Sequence, residues 1–207
     1  TQSLSSAASD VYKRQLKPTL TDAVDSAPPS VDMATKGVHM RAAHSEGRCS
    51  VAYSPDGKQL ITSGADMLVK IFEAGDFNAE PRNIEDPSEE QHEKAITTLA
   101  INAKGKFFAT GTTDHTVSYF SYPAGVFQRH LVRLPVPIRH LSFDKTGRTL
   151  AVASDDAVIR LVNVSLGQFV MVRGHSDSVL CIAFDPLGEY LASSSADGTV
   201  KIWDISD

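Results

Sequence analysis

The chain has 207 residues, of which 42% are hydrophobic, and this is enough apolar material for a buried core. With 20 Lys and Arg against 25 Asp and Glu, its formal net charge is -5, so no overall positive field draws it to nucleic acid or to an anionic membrane. No apolar run approaches the roughly 18 residues of a membrane-spanning helix, and no run resembles a signal peptide. Cys49 and Cys181 are too far apart in sequence to indicate a disulfide framework or a metal site, and a reducing compartment fits best.

Residues 1–32 differ from the rest of the chain. They are rich in Ser, Ala, Asp and Pro and show no sustained hydrophobic period, which predicts a disordered leader. The stretch "SLSSAASDVYKRQ" resembles a translated adapter, and Met33 suits a native start. We therefore predict two parts, a leader over 1–32 and a folded region over 33–207.

The folded region contains an internal repeat. Four glycines, Gly57, Gly105, Gly147 and Gly188, are separated by 48, 42 and 41 residues. An aspartate stands nine positions after each glycine. A histidine stands 13 positions before three of the four glycines. The aspartates are Asp66, Asp114, Asp156 and Asp197; the histidines are His44, His92 and His175; the third repeat has Leu134 at the histidine position. A match at two offsets in four places indicates a repeat architecture.

Each repeat predicts three β-strands and two turns. In the fourth repeat, "VLCIAF" (179–184), "YLASSS" (190–195) and "TVKIWDI" (199–205) favour strands, and "DPLG" and "ADG" favour turns. A fourth strand is predicted from linking segments such as "GQFVMVRG". The near-continuous apolar runs are typical of sheets covered on both faces. The predicted fold is all-β, a β-propeller with repeats over about 41–75, 92–125, 134–167 and 168–207.

The Gly-His and Trp-Asp signatures of the last repeat resemble those of WD repeats. That resemblance implies a hydrogen-bonded tetrad in which Trp203 is linked through Ser193 or Ser195 to His175 and Asp197. In the other repeats the Trp position holds Phe72, Phe120 and Val162. We predict that the tetrad and its counterparts stabilise the blades. The predicted tetrad residues are His175, Ser193, Ser195, Asp197, Trp203, His44, Asp66, His92, Asp114 and Asp156.

Two catalytic or metal-binding alternatives were weighed against this structural role. Ser, His and Asp together could form a nucleophilic triad, but a triad occurs once in a fold whereas this His and Asp pair recurs. The remaining histidines lack partners at ligand spacing, so turn or solvated positions are expected for them and no metal or cofactor is predicted. These histidines are His39, His115, His130 and His140.

Charged residues are unevenly distributed along the repeats. Residues 73–93 hold eight acidic residues and one arginine, which predicts either a solvated loop or an acidic docking loop that repels DNA. Arginines concentrate in repeats three and four, and a phosphate-binding patch there is the alternative to ordinary strand edges. The arginines concerned are Arg129, Arg133, Arg139, Arg148, Arg160 and Arg173.

Four repeats predict an incomplete ring, because propellers close with about four to eight blades and closure protects the terminal strand edges. The segment "KGVHMRAA" (36–43) favours an outer strand without a blade of its own. We expect an open arc of a propeller of seven blades that is unstable or prone to aggregate alone.

Residues 33–207 also resemble one particular family, the acidic nucleoplasmic or WD-repeat and HMG-box DNA-binding proteins. The resemblance rests on "MATKGVHMRAAHSEG", the acidic insert after "VKIFEAGD", "YFSYPAG" in repeat two and "RLVNV" in repeat three. It implies a nuclear replication-fork scaffold that couples the replicative helicase to the priming polymerase. Trimerisation in that family is implied to use a second propeller, which this chain does not contain.

The sequence therefore predicts a non-catalytic scaffold that binds other proteins, namely replisome or chromatin factors, with weak local contact to DNA as a further hypothesis and no membrane partner. A general WD-repeat adaptor in ubiquitin ligation or signalling is the alternative. Partners are expected at the loop rim, where a rigid scaffold presents variable side chains. The candidate rim residues precede the turn aspartates and are Ala65, Thr113, Asp155 and Ala196.

Overall fold

The computed structural model describes residues 43–45, 47–76, 78–84 and 94–206. These residues all belong to one compact unit, Ala42–Asp207. The predicted leader, the insert residues 85–93 and nearly all of the predicted strand 36–43 lie outside the described residues. No helix long and apolar enough to cross a membrane occurs in the part of the chain that the structure describes.

The described residues form antiparallel strands in four separate sheets, which we call blades one to four in chain order. Blade one contains β1 (Cys49–Tyr53), β2 (Gln59–Gly64), β3 (Val69–Glu73) and β4 (Arg82–Ile84). Blade two contains β5 (Ile96–Ile101), β6 (Phe107–Thr112), β7 (Thr116–Ser121) and β8 (Phe127–Arg133). Blade three contains β9 (Ile138–Phe143), β10 (Thr149–Ser154), β11 (Val158–Asn163) and β12 (Phe169–Arg173). Blade four contains β13 (Val179–Phe184), β14 (Tyr190–Ser195) and β15 (Val200–Asp204).

The prediction of an all-β propeller arc with four blades is confirmed. The predicted strands of the last repeat coincide with β13 and β14 and nearly with β15. The linking segment before His175 forms β12, which pairs with β11 and so completes blade three. The fourth predicted repeat, 168–207, therefore begins with the last strand of blade three, whereas the first three repeats contain the first three strands of their own blades.

The four repeated glycines each lie in the turn between the first and second strands of a blade, which we call the AB turn. Their φ angles lie between 60° and 78°, a left-handed conformation that glycine adopts without steric cost. In each turn the glycine N–H donates to the carbonyl three residues earlier, at 2.8 to 3.1 Å. The side chain at that earlier position accepts a further backbone N–H in all four turns. The four are Ser54, Asn102, Asp144 and Asp185. This polar position recurs in the sequence but was not singled out there.

Three apolar clusters join consecutive blades. One contains Ile61 and Phe108 from blades one and two, the second contains Tyr119 and Leu150 from blades two and three, and the third contains Ala151, Ile159 and Leu191 from blades three and four. The middle blades are therefore covered on both faces, and β6 and β10 are almost continuously buried. Burial of this kind contributes roughly 25 cal/mol for each Å² of apolar surface removed from water.

The first and last blades each leave one face open. Strands β1 and β15 alternate between exposed and half-buried residues, unlike the strands of the middle blades. Val51 and Tyr53 are 62% and 60% exposed, and Val200 and Ile202 are 73% and 74% exposed. Since every equivalent face between two blades is packed, these two faces are the uncovered ends of the arc.

Side chains on the innermost strands form hydrogen bonds between blades. Ser50 Oγ accepts from the Leu99 N–H at 3.1 Å, and His140 Nδ1 accepts from the Ile182 N–H at 3.4 Å. Both acceptors stand seven positions before their turn glycine. His140 was expected to be a turn or solvated histidine, and that expectation is wrong because its ring is partly buried between β9 and β13. Burial lowers the pKa of His140.

The turn between the second and third strands of each blade, the BC turn, also contains a left-handed residue. It directly follows the turn aspartate in every blade, and only blade four has a glycine there, Gly198, with a φ of 80°. The other three are Met67, His115 and Ala157, with φ angles of 66°, 70° and 61°. Side chains other than glycine are strained in this region, so these three turns store conformational energy.

We expect Ala157→Gly to stabilise the chain by ~0.5 to 1 kcal/mol, because relief of the left-handed strain exceeds the added freedom of the unfolded chain. Denaturant titration would measure the change. Gly198→Ala is the matched reverse substitution, since a Cβ at position 198 meets nothing within 4 Å and acts only through backbone strain. It should destabilise the chain by a similar amount, and equal stability of both variants and the wild type would contradict the account.

We expect acid to weaken the His140 contact in the pH range just below 6.5, the ordinary histidine pKa. The folded pKa is lowered, so the unfolded chain binds the proton more readily there and stability falls as the pH drops. The turn aspartates have pKa values below 3.8 and titrate at lower pH. His140→Gln keeps an acceptor without a proton equilibrium, so the difference between the wild-type and variant thermal midpoints should change between about pH 7 and pH 5. A constant difference would refute the assignment.

Candidate functional site

The residues predicted as a tetrad meet in blade four. Trp203 Nε1 on β15 donates to Ser193 Oγ on β14 at 2.8 Å, and His175 Nε2 lies 2.8 Å from the same oxygen. His175 Nδ1 lies 2.9 Å from Asp197 Oδ2. The rings of His175 and Trp203 also meet edge to face, with centroids 5.8 Å apart. Every polar atom along this path has a partner, as a buried polar network requires.

The two serines proposed for the middle of this chain have different contacts. Ser193 bridges the tryptophan and the histidine. Ser195 Oγ instead donates to the Asp177 carbonyl at 2.8 Å and accepts from the Asp197 N–H at 3.1 Å. Because side chains alternate between the faces of a strand, Ser193 and Ser195 lie on the same face. Ser195 is two residues nearer the BC turn, so it contacts the loop that contains Asp177.

Asp197 is the acceptor that organises the BC turn. It accepts from Thr199 Oγ1 at 2.6 Å, from the Ser176 N–H at 3.0 Å and from the Thr199 N–H at 2.9 Å. The Thr199 hydroxyl and the Ser176 N–H, with His175, hold the pKa of the Asp197 carboxyl well below its usual range. The carboxylate therefore satisfies backbone donors from two loops that would otherwise lack partners.

The same geometry argues against a nucleophilic triad. A nucleophilic serine must reach a substrate carbonyl, yet Ser193 is 2% exposed and its Oγ accepts the Trp203 Nε1–H. Its oxygen already contacts two ring nitrogens. The Ser, His and Asp of blade four are thus arranged to hold strands together.

Blade one has a shorter version of the network. His44 Nδ1 lies 2.7 Å from Asp66 Oδ1, and His44 Nε2 lies 3.0 Å from Thr62 Oγ1. Phe72 at the tryptophan position has no donor and ends the path. Burial acts to raise the pKa of Asp66, but the His44 bond and the Leu68 N–H bring it below the ordinary value. Gly64 permits the close approach of the histidine, because a Cβ there would stand 2.4 Å from His44 Cγ.

In blade two the aspartate position is described but the histidine position is not. His92 lies outside the described residues. Asp114 binds the Thr112 hydroxyl and accepts from Thr116 Oγ1 at 3.2 Å. His130, predicted to be solvated or in a turn, is exposed on β8 and lies 3.0 Å from Ser118 Oγ.

Blade three replaces the network with apolar residues. Leu134, Val152 and Val162 occupy the positions equivalent to His175, Ser193 and Trp203, and all three are buried in one cluster. Asp156 remains and accepts from Ser154 Oγ at 2.8 Å. Replacing a whole polar network by packed apolar groups avoids the cost of leaving some members without partners.

Arg160 takes over the contact to Asp156 that histidine makes in other blades. Its guanidinium binds the carboxylate at 2.5 and 3.1 Å and donates to Ser154 Oγ at 2.9 Å. The side chain is 6% exposed and its carbon Cζ lies 6.0 Å from the Phe169 ring centre. Lys70 and Lys201 stand at the equivalent positions of repeats one and four, so the sequence signal was an arginine in place of lysine in the one repeat without the histidine.

The candidate rim residues all lie at BC turns, on one end of the blades. Thr113 and Ala196 are exposed, whereas Ala65 and Asp155 are half-buried. The Asp155 carboxylate forms a bidentate ion pair with Arg139, at 2.5 and 2.6 Å. This ion pair holds the pKa of Asp155 below its usual value. The N–H groups of Thr113, Asp155 and Ala196 donate to carbonyls in the loops that precede the innermost strands. Thr113 and Ala196 therefore offer the free side chains among the four.

The six arginines considered as a phosphate-binding patch do not share one surface. Arg139 and Arg160 are neutralised by neighbouring aspartates. Arg133 and Arg173 end β8 and β12 near the BC turns, whereas Arg148 lies at an AB turn on the opposite end. Strand direction separates arginines that are close in sequence. The alternative of a single phosphate-binding patch made of these six arginines is therefore wrong.

Metal-ligating groups are not assembled among residues 43–84 and 94–206 as described, where no cluster of three or more His, Cys, Asp or Glu could hold an ion. His115 is a turn residue, as expected, with a left-handed backbone. His39 lies outside the described residues. Both cysteines are free and exposed.

The sequence matches known proteins over most of its length. A sequence profile described as the WDHD1 first WD40 domain matches residues 41–207. The chain is 33% identical over 169 residues to mouse WD repeat and HMG-box DNA-binding protein 1, covering 81% of this chain and 14% of that protein. The human protein of that name is 32% identical over the same shares of the two chains. Minichromosome loss protein 1 of Schizosaccharomyces pombe is 29% identical over 173 residues, covering 83% of this chain and 20% of the relative.

We expect Ser193→Ala to destabilise the chain by about 1 to 3 kcal/mol, because it leaves the buried Trp203 N–H and a His175 nitrogen without a partner. Thermal or denaturant unfolding would measure the loss. Ser194→Ala, on the opposite face of the same strand, is the control and should change stability by less than about 0.5 kcal/mol. Equal effects at positions 193 and 194 would show that the hydrogen-bond chain does not stabilise blade four.

Proposed function

The chain belongs to the family of the WDHD1 first WD40 domain, and on that premise we propose that it is a non-catalytic, protein-binding part of a nuclear scaffold at the DNA replication fork. The observation that carries the proposal is the family match from residue 41 to residue 207. The names of the relatives refer to DNA binding and to minichromosome loss, and both fit a protein that acts on chromatin.

The chain spans 14% of the length of its mouse and human relatives, so activities of whole proteins enter only as proposals. We assign to these blades the docking of replisome or chromatin proteins. Oligomerisation and coupling of helicase to priming polymerase are proposed for the longer protein. Protein binding is preferred over DNA binding because the net charge is -5 and the arginines of blades three and four are dispersed.

The architecture of the BC-turn end supports a docking role. Thr113 and Ala196 present exposed side chains on turns whose backbones are anchored by aspartates and by N–H bonds to adjacent loops. A rigid backbone lowers the entropy lost on binding. We propose Thr113 and Ala196, flanked by Ala65 and Asp155, as the partner-binding rim.

The test uses the full-length protein in dividing cells. Thr113→Arg with Ala196→Arg places two bulky charges on the rim without touching the tetrad, and Asn78→Arg with Leu187→Arg places the same charges on exposed positions at the other end of blades one and four. Chromatin-bound protein would be captured in S phase, and the co-recovered replisome and chromatin proteins would be quantified. We expect recovery to fall at least about fivefold for the rim variant, a loss of roughly 1 kcal/mol of binding energy, and to persist for the control.

Two results would overturn the proposal. One is unchanged recovery of replication proteins in the rim variant, which would remove the rim from the interaction. The other is capture of ubiquitin-ligase or signalling subunits in place of replisome and chromatin proteins, which would favour the general adaptor.

A further inference from the structure

The end of the blades that carries the AB turns has a basic surface on blades two and three, where basic residues outnumber acidic ones. We call it the basic AB surface. Its members are Lys104, Lys106, Arg129, Lys145 and Arg148. The four members that lie in the AB turns, Lys104, Lys106, Lys145 and Arg148, are exposed. No described acidic group forms an ion pair with any of the five members. The only described acidic side chain among the two AB turns is Asp144, which accepts from Thr146 Oγ1 at 2.5 Å and the Thr149 N–H at 3.0 Å.

These basic residues form one continuous surface because the two turns touch. A Cβ on Gly147 in the blade-three turn would stand 3.0 Å from Asn102 Nδ2 in the blade-two turn. Arg129 extends from blade two to the Val164 carbonyl of blade three, and the Val164 N–H donates to the Arg148 carbonyl at 2.8 Å. The five side chains therefore bridge the boundary between the blades.

Acidic residues border this surface on both sides. On blade one, the acidic Asp56, Glu73 and Asp76 outnumber the basic Lys58 and Arg82 at the same end. On blade four, Asp185, Glu189 and Asp204 occupy the equivalent end. A long polyanion such as a nucleic acid carries a negative charge at every nucleotide. It would therefore be repelled where it extended onto the acidic ends of blade one or blade four. A short ligand fits the width of two blades.

Apolar side chains accompany the basic ones. Leu166 and Val126 lie in the turns between the third and fourth strands of blades three and two, and they are 67% and 41% exposed. A phosphate group gains no binding energy from apolar side chains, whereas protein interfaces combine apolar contacts with a charged rim. Of the five basic side chains, only Arg129 donates a described hydrogen bond. The other four can therefore reach carboxylates of a partner.

We propose that the basic AB surface binds a short acidic peptide segment of a partner protein, with an apolar side chain of that segment against Leu166 and Val126. This inference rests on the proposed scaffold function and names the chemistry of one partner. It also assigns a second binding surface, on the end opposite the Thr113 and Ala196 rim.

The test measures direct binding by fluorescence anisotropy with the complete chain. The probes are a labelled peptide of about a dozen Asp, Glu and Leu residues, the same peptide with Asn and Gln replacing the acids, and a labelled DNA duplex. The surface variant combines Lys104→Ala, Lys106→Ala, Lys145→Ala and Arg148→Ala. The control variant removes four exposed basic side chains from the BC-turn end, at Arg48, Lys94, Arg133 and Arg173.

We expect the acidic peptide to bind the wild type in a salt-dependent manner, the surface variant to bind it at least about tenfold more weakly, and the control variant to bind it within about twofold of the wild type. Leu166→Ser should weaken binding without changing its salt dependence. Thermal unfolding of each variant confirms that the fold is kept, since all substituted groups are on the surface.

Equal losses in the surface and control variants would overturn the proposal, as would equal binding of the uncharged peptide. Tighter binding of the DNA duplex, lost in the surface variant, would identify a phosphate site and reject the peptide. Because no replication protein is present, failure here leaves the replication-fork proposal standing. Peptide binding without recovery of replisome and chromatin proteins from cells would reject only the latter.

Discussion

The structure depends on the carboxylate that stands in each BC turn. The blades are pressed face to face by apolar clusters, so the polar atoms at the strand ends lie close to dry surfaces and need partners. Asp197 satisfies donors from its own turn and from the loop before β13, and it positions His175 against Ser193. Through that contact the loop between two blades is tied to the strands of one of them.

Blade three shows which part of this device is required and which part can be exchanged. The histidine, serine and tryptophan positions are all apolar in this blade, whereas Asp156 is present and pairs with Arg160. A buried histidine at this position without its serine or threonine partner would cost about 1 to 3 kcal/mol for each polar group left unpaired. The turn aspartate is retained because the backbone N–H of the turn is present whatever side chains surround it.

The two ends of the arc differ in charge for reasons that follow from strand direction. The turn aspartates gather at the BC-turn end, where the backbone needs acceptors, and the exposed lysines of blades two and three gather at the AB-turn end. The proposed partner-binding rim and the proposed acidic-peptide surface thus lie on opposite ends of one rigid body. Two chemically distinct ends can hold two partners without competition between them.

Much of the protein was determined by the sequence alone. The spacing of glycine, aspartate and histidine predicted the number of blades and the positions of their turns, because a turn of fixed geometry constrains residues a fixed distance apart. The sequence left two serines open as the bridge, gave His140 the wrong environment and grouped six arginines that the fold separates. Only the tertiary structure decided these points, since burial at a blade interface, the partner of a charge and the end of a strand on which it lies depend on neighbours distant in the chain. Arg160 illustrates the limit: its position was visible, but its role existed only once Asp156, Ser154 and the apolar cluster had closed around it.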